Sequence, residues 1–236
     1  MTRLFVTGDV HASYDNFKFE KDYFPEGLTL TKDDYVIVCG DFGYIWNYEG
    51  MSEIEQERLD NLEAKPWTTL FVDGNHECFP RLAAYDVEEW HGGKVHKIMP
   101  SIIHLMRGEI YNIANKKLFA FGGAQSIDKI YRIEGKSWWP EEEPSLEEFD
   151  NAINNLEKIN FKPDIIITHD LPRRYYYNLY RSMGFDNKTQ QMLDSILEFC
   201  PDYGYWYCGH HHINKQINDR FMVLYYDIVE VGGSNE

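Results

Sequence analysis

Five short polar blocks in this chain each follow an apolar run typical of a buried β-strand. Runs such as 35–38 and 165–167 are rich in β-branched and aromatic residues, which predicts strands covered on both faces. The blocks are Asp9-Val10-His11, Gly40-Asp41, Gly74-Asn75-His76-Glu77, His169 and Gly209-His210-His211-His212. Because open α/β sheets bind ligands at the carboxyl ends of their strands, we expect these distant blocks to meet at one site.

The side chains of these blocks favour a two-metal hydrolytic centre. Carboxylates, imidazoles and an amide oxygen suit borderline divalent cations such as Mn, Fe, Zn, Co or Ni. The four cysteines show no close pairing that would favour zinc alone, and we interpret them as reduced core thiols. Two such ions can activate a water molecule and hold a phosphoryl group for in-line attack.

Length and charge limit the remaining possibilities. At 236 residues we expect a single domain, 1–236, with a sizeable core. The sequence has neither a long apolar run nor a secretion signal at its amino terminus, so we expect a cytoplasmic protein without a membrane segment. A net charge of −16 argues against broad binding of nucleic acid or an anionic membrane. Phosphorylated substrates remain possible, because bound cations would make the pocket itself positive.

The rest of the chain alternates helical and strand-like patterns. Helices are predicted at 13–24, from the capping box at Ser52 to about 64, after Pro80, after a second capping box at Ser145, and at 188–199. The stripe Leu146, Phe149, Ile153 and Leu156 is expected to pack inward. Runs at 102–106, 109–113 and 117–121 predict an antiparallel meander that ends at Gly122-Gly123.

The Pro-, Glu- and Trp-rich stretch 133–144 is predicted to leave the core as an excursion. It contains Trp138-Trp139, and a pair of tryptophans in a polar loop is costly to expose. Two interpretations remain open: a lid over the cleft, whose deletion would leave the metal content unchanged, or a contact for a partner.

The order of the five blocks resembles the calcineurin-like metallophosphoesterase superfamily, whose pattern is Asp-x-His, Gly-Asp, Gly-Asn-His-Glu or Asp, a strand-end His, and Gly-His-x-His. The resemblance runs from Asp9 to His212. It implies an α/β fold in which two mixed β-sheets pack as a sandwich flanked by helices.

Position by position, the resemblance also implies the roles of the site residues. Asp41 would bridge two metals and a hydroxide between them would be the nucleophile. His76 would be the general acid, the alternative being a hydrogen bond that orients its loop. The ligands of one metal would be Asp9, His11 and His212, and those of the other Asn75, His169 and His210.

The chain departs from the serine/threonine protein phosphatase branch at two places. Asp41 is followed by Phe42 and Glu77 by Cys78, so two phosphate-binding arginines of that branch are missing. We therefore expect a small phosphorylated substrate, with a nucleotide or other phosphodiester favoured over a phosphomonoester. The alternatives are a protein phosphatase and a non-catalytic metal-binding scaffold for protein partners. The oligomeric state is not predicted.

Other residues are candidates for contacting the substrate. Arginines suit bidentate binding of phosphate, and an aromatic ring near the metals suits stacking on a nucleobase. For each arginine an ordinary surface salt bridge is the alternative. The arginines are Arg81, Arg132, Arg173 and Arg174, and among the aromatic candidates is Trp46.

Overall fold

The computed structural model describes residues 2–181 and 187–232. Within them the strands are β1 (Leu4–Thr7), β2 (Tyr35–Val38), β3 (Thr68–Phe71), β4 (Val87–Trp90), β5 (Gly93–Met99), β6 (Ile102–Leu105), β7 (Glu109–Ile113), β8 (Lys116–Phe121), β9 (Ile165–Thr168), β10 (Tyr205–Cys208), β11 (Lys215–Asn218), β12 (Phe221–Val223) and β13 (Ile228–Glu230). The α-helices are α1 (Glu53–Glu63), α2 (Phe79–Leu82), α3 (Leu146–Lys158), α4 (Arg173–Tyr180) and α5 (Lys188–Phe199). Short 3₁₀ helices occupy Asn16–Phe19, Pro25–Thr29, Lys129–Tyr131 and Pro140–Glu142.

The strands form two mixed sheets, as the resemblance implied. The first sheet has the order β13-β1-β2-β3-β6-β5-β4, and the second has the order β11-β12-β10-β9-β8-β7. In the first sheet β1, β2, β3 and β6 are parallel neighbours. In the second, β8, β9, β10 and β12 are parallel. The strands that lead into the five polar blocks are therefore neighbours within each sheet: β1, β2 and β3 in the first, and β9 and β10 in the second.

One apolar core joins the inner faces of the two sheets. It contains Val6 and Leu70 from the first sheet and Leu118 and Ile167 from the second, all buried. Both faces of the parallel strands are covered, which explains why these strands read as continuous apolar runs.

Helices cover the two outer faces. On the first sheet, Val36 packs in one cluster with Leu59 of α1. On the second, Trp206 packs with Leu156 of α3 and Ile196 of α5. The layers therefore run helix, sheet, sheet, helix, and no described helix has the length and apolar character needed to cross a bilayer.

Several local predictions are confirmed and others are wrong. Ser52 and Ser145 cap α1 and α3 through capping boxes, and α5 has the predicted bounds. Leu146, however, is 67% exposed, so the apolar stripe of α3 starts later than predicted. The 13–24 segment contains only a short 3₁₀ helix, which is tied to the loop after β1: Asp15 N donates to Val10 O and Lys18 Nζ to Asp9 O.

The predicted meander is also wrong in its topology. The three strand-like runs do form β6, β7 and β8, but β6 lies parallel to β3 in the first sheet, whereas β7 and β8 pair in the second. The chain changes sheets between β6 and β7, which a pattern of alternating apolar residues does not reveal. Strands β4 and β5 and helix α4 were not predicted. The four cysteines are buried and unpaired, as expected.

A buried polar chain lies behind the end of β3. His96 Nδ1 is 3.0 Å from His104 Nδ1, and His104 Nε2 is 3.2 Å from Asp73 Oδ1. Arg107 donates to Asp73 Oδ2 from two nitrogens. Asp73 thus anchors the start of the Gly74-Asn75-His76 loop, and the two histidines support it from the interior.

The buried residues His96, His104 and Asp73 predict a pH-dependent contribution to stability. Burial, together with the neighbouring His104, lowers the pKa of His96 from 6.5 to about 4. Between these pH values the unfolded chain binds a proton that the native protein does not, so the free energy of unfolding falls as the pH decreases, by at most about 1.4 kcal/mol per pH unit. We expect His96→Gln to remove this slope in urea unfolding measured at several pH values. The control is the same substitution at exposed His91; equal slopes in wild type and His96→Gln would contradict the prediction.

Candidate metal centre

Two groups of potential metal ligands meet where the two sheets present the carboxyl ends of their parallel strands. The side-chain donor atoms of Asp9, His11, Asp41 and His212 lie within 4.8 Å of one another, and so do those of Asp41, His169 and His210. Asn75 joins the second group, because its Oδ1 is 3.2 Å from His169 Nε2. The structure thus brings together all seven ligands that the sequence predicted, in the predicted groups.

Asp41 is the residue that the two groups share. Its Oδ2 is 3.2 Å from His11 Nε2, and its Oδ1 is 3.2 Å from His169 Nε2. The main-chain N–H groups of Asn75 and His76 both donate to Oδ1 at 2.8 Å. The carboxylate therefore fixes the loop after β3 while facing both groups, as expected of a bridging ligand.

The backbone at the site adopts conformations that side chains rarely tolerate. His11, Asp41, His210 and His212 all have positive φ, between 44° and 64°. Such strain persists only where surrounding structure imposes it, and it is common at functional sites. The strands end in these sharp turns, so consecutive residues point in different directions and two ligands of one block can reach the same centre.

Glycines in the motifs make room for the ligands. A Cβ at Gly74 would lie 2.1 Å from Asp41 Oδ1, and a Cβ at Gly209 would lie 2.1 Å from Asp9 Oδ1. Either contact is far inside van der Waals distance. Gly74 and Gly209 are therefore required because a carboxylate from another strand end packs against each of them.

Hydrogen bonds to the far nitrogen orient two of the imidazoles. His11 Nδ1 lies 2.7 Å from Asp15 Oδ2, and His169 Nδ1 donates to Cys39 O at 2.7 Å. In both rings this leaves Nε2 facing the site, which is how histidine ligands are usually held. Sequence reasoning did not find Asp15, although it stands four residues after His11.

A buried pair of residues orients the amide of Asn75. Asn75 Nδ2 donates to Ser126 Oγ at 3.1 Å, so its Oδ1 faces His169. Ser126 Oγ donates in turn to Glu142 Oε2 at 2.6 Å, and Ser126 N donates to the same carboxylate. Neither Ser126 nor Glu142 was predicted from sequence. The available signal was Gly122-Gly123, which marks a further strand end.

The charges of the site fit cations. Asp9 and Asp41 are at most 2% exposed. Asp9 Oδ2 lies 3.0 Å from His212 Nε2. Burial opposes protonation of His169, but Asp41 and Asp9 raise its pKa to about 10. Two buried carboxylates surrounded by imidazoles form a donor set that suits divalent metal ions.

Lys18 is a buried cation beneath the site. Its Nζ donates to the main-chain oxygens of Asp9 and Tyr225, and burial lowers its pKa to about 8. The ammonium group holds the turn that carries Asp9 without occupying the ligand atoms. Sequence analysis had placed Lys18 within a helix and missed this role.

His76 lies beside the two groups without belonging to either of them. Its ring packs edge-on against His11, and Trp46 stacks on it with 5.5 Å between ring centroids. Arg132 Nη2 donates to His76 Nε2 at 2.9 Å. Burial lowers the pKa of His76, Asp41 opposes this shift, and the charge of Arg132 adds to it. Trp46 therefore supports His76; whether it also contacts a substrate stays a prediction.

The other predicted arginines have different surroundings. Arg81 pairs with Glu55 at 2.9 Å and holds the start of α1. Arg174 pairs with Asp194 at 3.1 Å and Glu198 at 2.6 Å on α5, which is the salt-bridge alternative. Arg173, half-buried at the start of α4, remains a predicted substrate contact.

The excursion at 133–144 takes part in the site. Trp139 is 4% exposed and packs in a cluster with Trp46, Cys78 and Phe79, so it is not a free surface for a partner. The same segment contributes Glu142 behind Asn75. Deleting the excursion would remove the support of the candidate ligand Asn75, so the contacts favour a loss of metal where the sequence analysis expected none; the effect on metal content stays a prediction.

Two residues beside the candidate ligands hold the loops of the site together. Glu77 accepts from the main-chain N–H groups of Phe42 at 2.7 Å and Gly43 at 3.3 Å, joining the loops after β2 and β3. His211 Nε2 lies 3.0 Å from Asp170 Oδ1 and is turned away from both ligand groups.

The Ser126–Glu142 pair predicts an asymmetric loss of metal binding. We expect Ser126→Ala to weaken binding at the group of Asn75, His169 and His210 by about 10- to 100-fold, because the Asn75 amide loses the bond that orients it. The group of Asp9 should be unaffected. Calorimetric titration with Mn²⁺ measures both steps, and Ser195→Ala on the exposed side of α5 is the control. Unchanged affinity in both steps would refute the role of Ser126.

Comparison with known proteins identifies the family of this chain. The family model described as calcineurin-like phosphoesterase matches residues 2–214. No curated protein gives a significant match. One crystal structure is similar over 94% of this chain and 89% of its own, with 14% sequence identity and a TM-score of 0.47. Because the family model spans nearly all of the residues, this chain belongs to the calcineurin-like phosphoesterase family.

Proposed function

We propose that this protein is a metal-dependent hydrolase that acts on phosphoesters of small molecules. The observation that carries the proposal is the pair of ligand groups that share the buried carboxylate of Asp41. A structural metal site would be closed around a single ion, whereas shared ligation by a carboxylate suits a pair of ions acting on one substrate. Membership of the family supports the same chemistry.

Asp9, His11, Asp41 and His212 would hold one divalent ion, and Asp41, Asn75, His169 and His210 the other. When bound, such ions supply an activated water and offset the negative charge of the phosphoryl group. The protein residues keep the donors in place: Asp15 and the Cys39 carbonyl orient imidazoles, and Ser126 orients the Asn75 amide. The identity of the ions is left open among Mn, Fe, Zn, Co and Ni.

His76 is the proposed general acid. It sits at the rim of the ligand groups, and Trp46 and Arg132 fix its ring. A guanidinium can only donate, so Nε2 accepts in the structure and the neutral ring carries its proton on Nδ1. Delivery of a proton to the leaving oxygen from Nε2 requires this nitrogen to be protonated and released by Arg132, which a negatively charged substrate favours.

The surroundings of the site support a small substrate. The net charge is −16, so attraction for phosphate would come from the cleft, where the proposed metal ions would lie. Trp139 and Trp46 close one side of His76. The arginines of the protein phosphatase branch are absent after Asp41 and Glu77. These features favour a small molecule over a folded phosphoprotein.

An assay with two chromogenic esters tests the proposal. We expect the protein, loaded in turn with Mn, Co, Ni, Fe and Zn, to hydrolyse 4-nitrophenyl phosphate or bis(4-nitrophenyl) phosphate. Asp41→Asn should abolish turnover, because both ligand groups lose a charge, and His76→Asn should lower kcat by about 10²- to 10⁴-fold while metal stoichiometry is kept.

Matched controls are Asp22→Asn and His91→Asn, at exposed positions away from the site. Turnover of neither ester with any of the five metals would overturn the enzymatic function. Full activity of Asp41→Asn would instead exclude the shared two-metal arrangement. Loss of activity in His76→Asn together with loss of metal would assign His76 a structural role.

A further inference from the structure

Arg132 is a predicted arginine whose guanidinium lies against the proposed general acid His76. Its Nη2 donates to His76 Nε2 at 2.9 Å. Its Nε donates to Asp128 Oδ1 at 2.8 Å, and its Nη1 to the main-chain oxygen of Ser137 at 3.4 Å. The Arg132 side chain is only 12% exposed, so the charge is held in place inside the cleft.

The local fold explains how Arg132 is aimed. The short helix Lys129–Tyr131 separates Asp128 from Arg132 by one turn, which places the carboxylate against Nε. Behind it, Ile133 N donates to Ser137 Oγ at 3.0 Å and Gly135 turns the chain with φ of 77°. One edge of the guanidinium is therefore anchored while Nη2 projects towards His76.

The partner of that projecting nitrogen is unusual. Arg81, Arg107 and Arg174 donate to carboxylates, which match their charge. Arg132 Nη2 instead donates to an imidazole. Its Nε donates to the carboxylate of Asp128, which is 48% exposed. A phosphate oxygen is a better acceptor for a guanidinium than a neutral imidazole, because the bond becomes charge-assisted.

On the basis of the proposed function, we infer that Arg132 binds the phosphoryl group of the substrate and makes the site selective for phosphomonoesters. The terminal phosphate of a monoester has three oxygens free to accept, and a diester has one fewer. The extra oxygen of a monoester can replace His76 Nε2 as the acceptor of Arg132 Nη2, which releases His76 for the leaving oxygen. The segment 128–132 thus takes the place of the arginines that are missing after Asp41 and Glu77, and it reverses the preference for a phosphodiester drawn from the sequence.

The test compares wild type with Arg132→Ala and Arg132→Lys on the two 4-nitrophenyl esters, which share a leaving group. For Arg132→Ala we expect kcat/KM to fall by about 10- to 100-fold on the monoester, as for a lost hydrogen bond to a charged group. On the diester it should change by less than about fivefold. The lysine variant keeps the positive charge but lacks the forked donors of the guanidinium, so we expect an intermediate fall in kcat/KM on the monoester. Arg3→Ala, which removes an exposed ion pair with Glu230, is the control.

A second readout does not depend on turnover. Calorimetric titration of the metal-loaded protein with inorganic phosphate should show a Kd at least about tenfold weaker in Arg132→Ala, with unchanged metal stoichiometry and melting temperature. Equal losses on the two esters, or an unchanged Kd for phosphate, would overturn the role of Arg132. If wild type turns over neither ester but binds phosphate through Arg132, the proposed function fails and the phosphate site stands.

Discussion

The structure around the site depends on one buried carboxylate. Asp41 is 2% exposed, has positive φ, and accepts two main-chain N–H groups from the loop after β3. The same side chain faces His11, in the loop after β1, and His169, directly after β9. A second carboxylate, Asp9, is buried close by, and two such charges persist without water only if cations offset them. The requirement for positive charge therefore follows from the packing of the strand ends.

Residues outside the two ligand groups hold the donor atoms in place. Asp15, the Cys39 carbonyl and Ser126 each fix the orientation of a donor, and Glu142 fixes Ser126. Glu142 comes from the excursion, whose tryptophan also supports Trp46 beside His76. One irregular segment thus supports both the candidate ligand Asn75 and the proposed general acid His76. A lid that only covers the cleft would not make these supporting contacts.

Sequence patterns predicted the parts of the fold whose cause is local. The capping boxes at Ser52 and Ser145 correctly predicted where α1 and α3 begin, because the hydrogen bonds of a capping box join residues only three positions apart. The apolar runs became the parallel strands because strands buried on both faces need such runs. The helix predicted at 13–24 is only a short 3₁₀ helix, and the Lys18 side chain bonds to the main-chain oxygens of Asp9 and Tyr225, contacts that a helical pattern does not reveal. The change of sheet between β6 and β7 left no periodic signal.

The sequence by itself determined the chemistry of the site: the kinds of donor, their order along the chain and their place after strands. Tertiary structure decided which donors share Asp41 and which groups orient them. The physical reason is that the deciding bonds join distant segments, such as His169 to the carbonyl of Cys39, 130 residues away, and Arg132 to His76, 56 residues away. Only the packing of the two sheets brings those partners within hydrogen-bond distance.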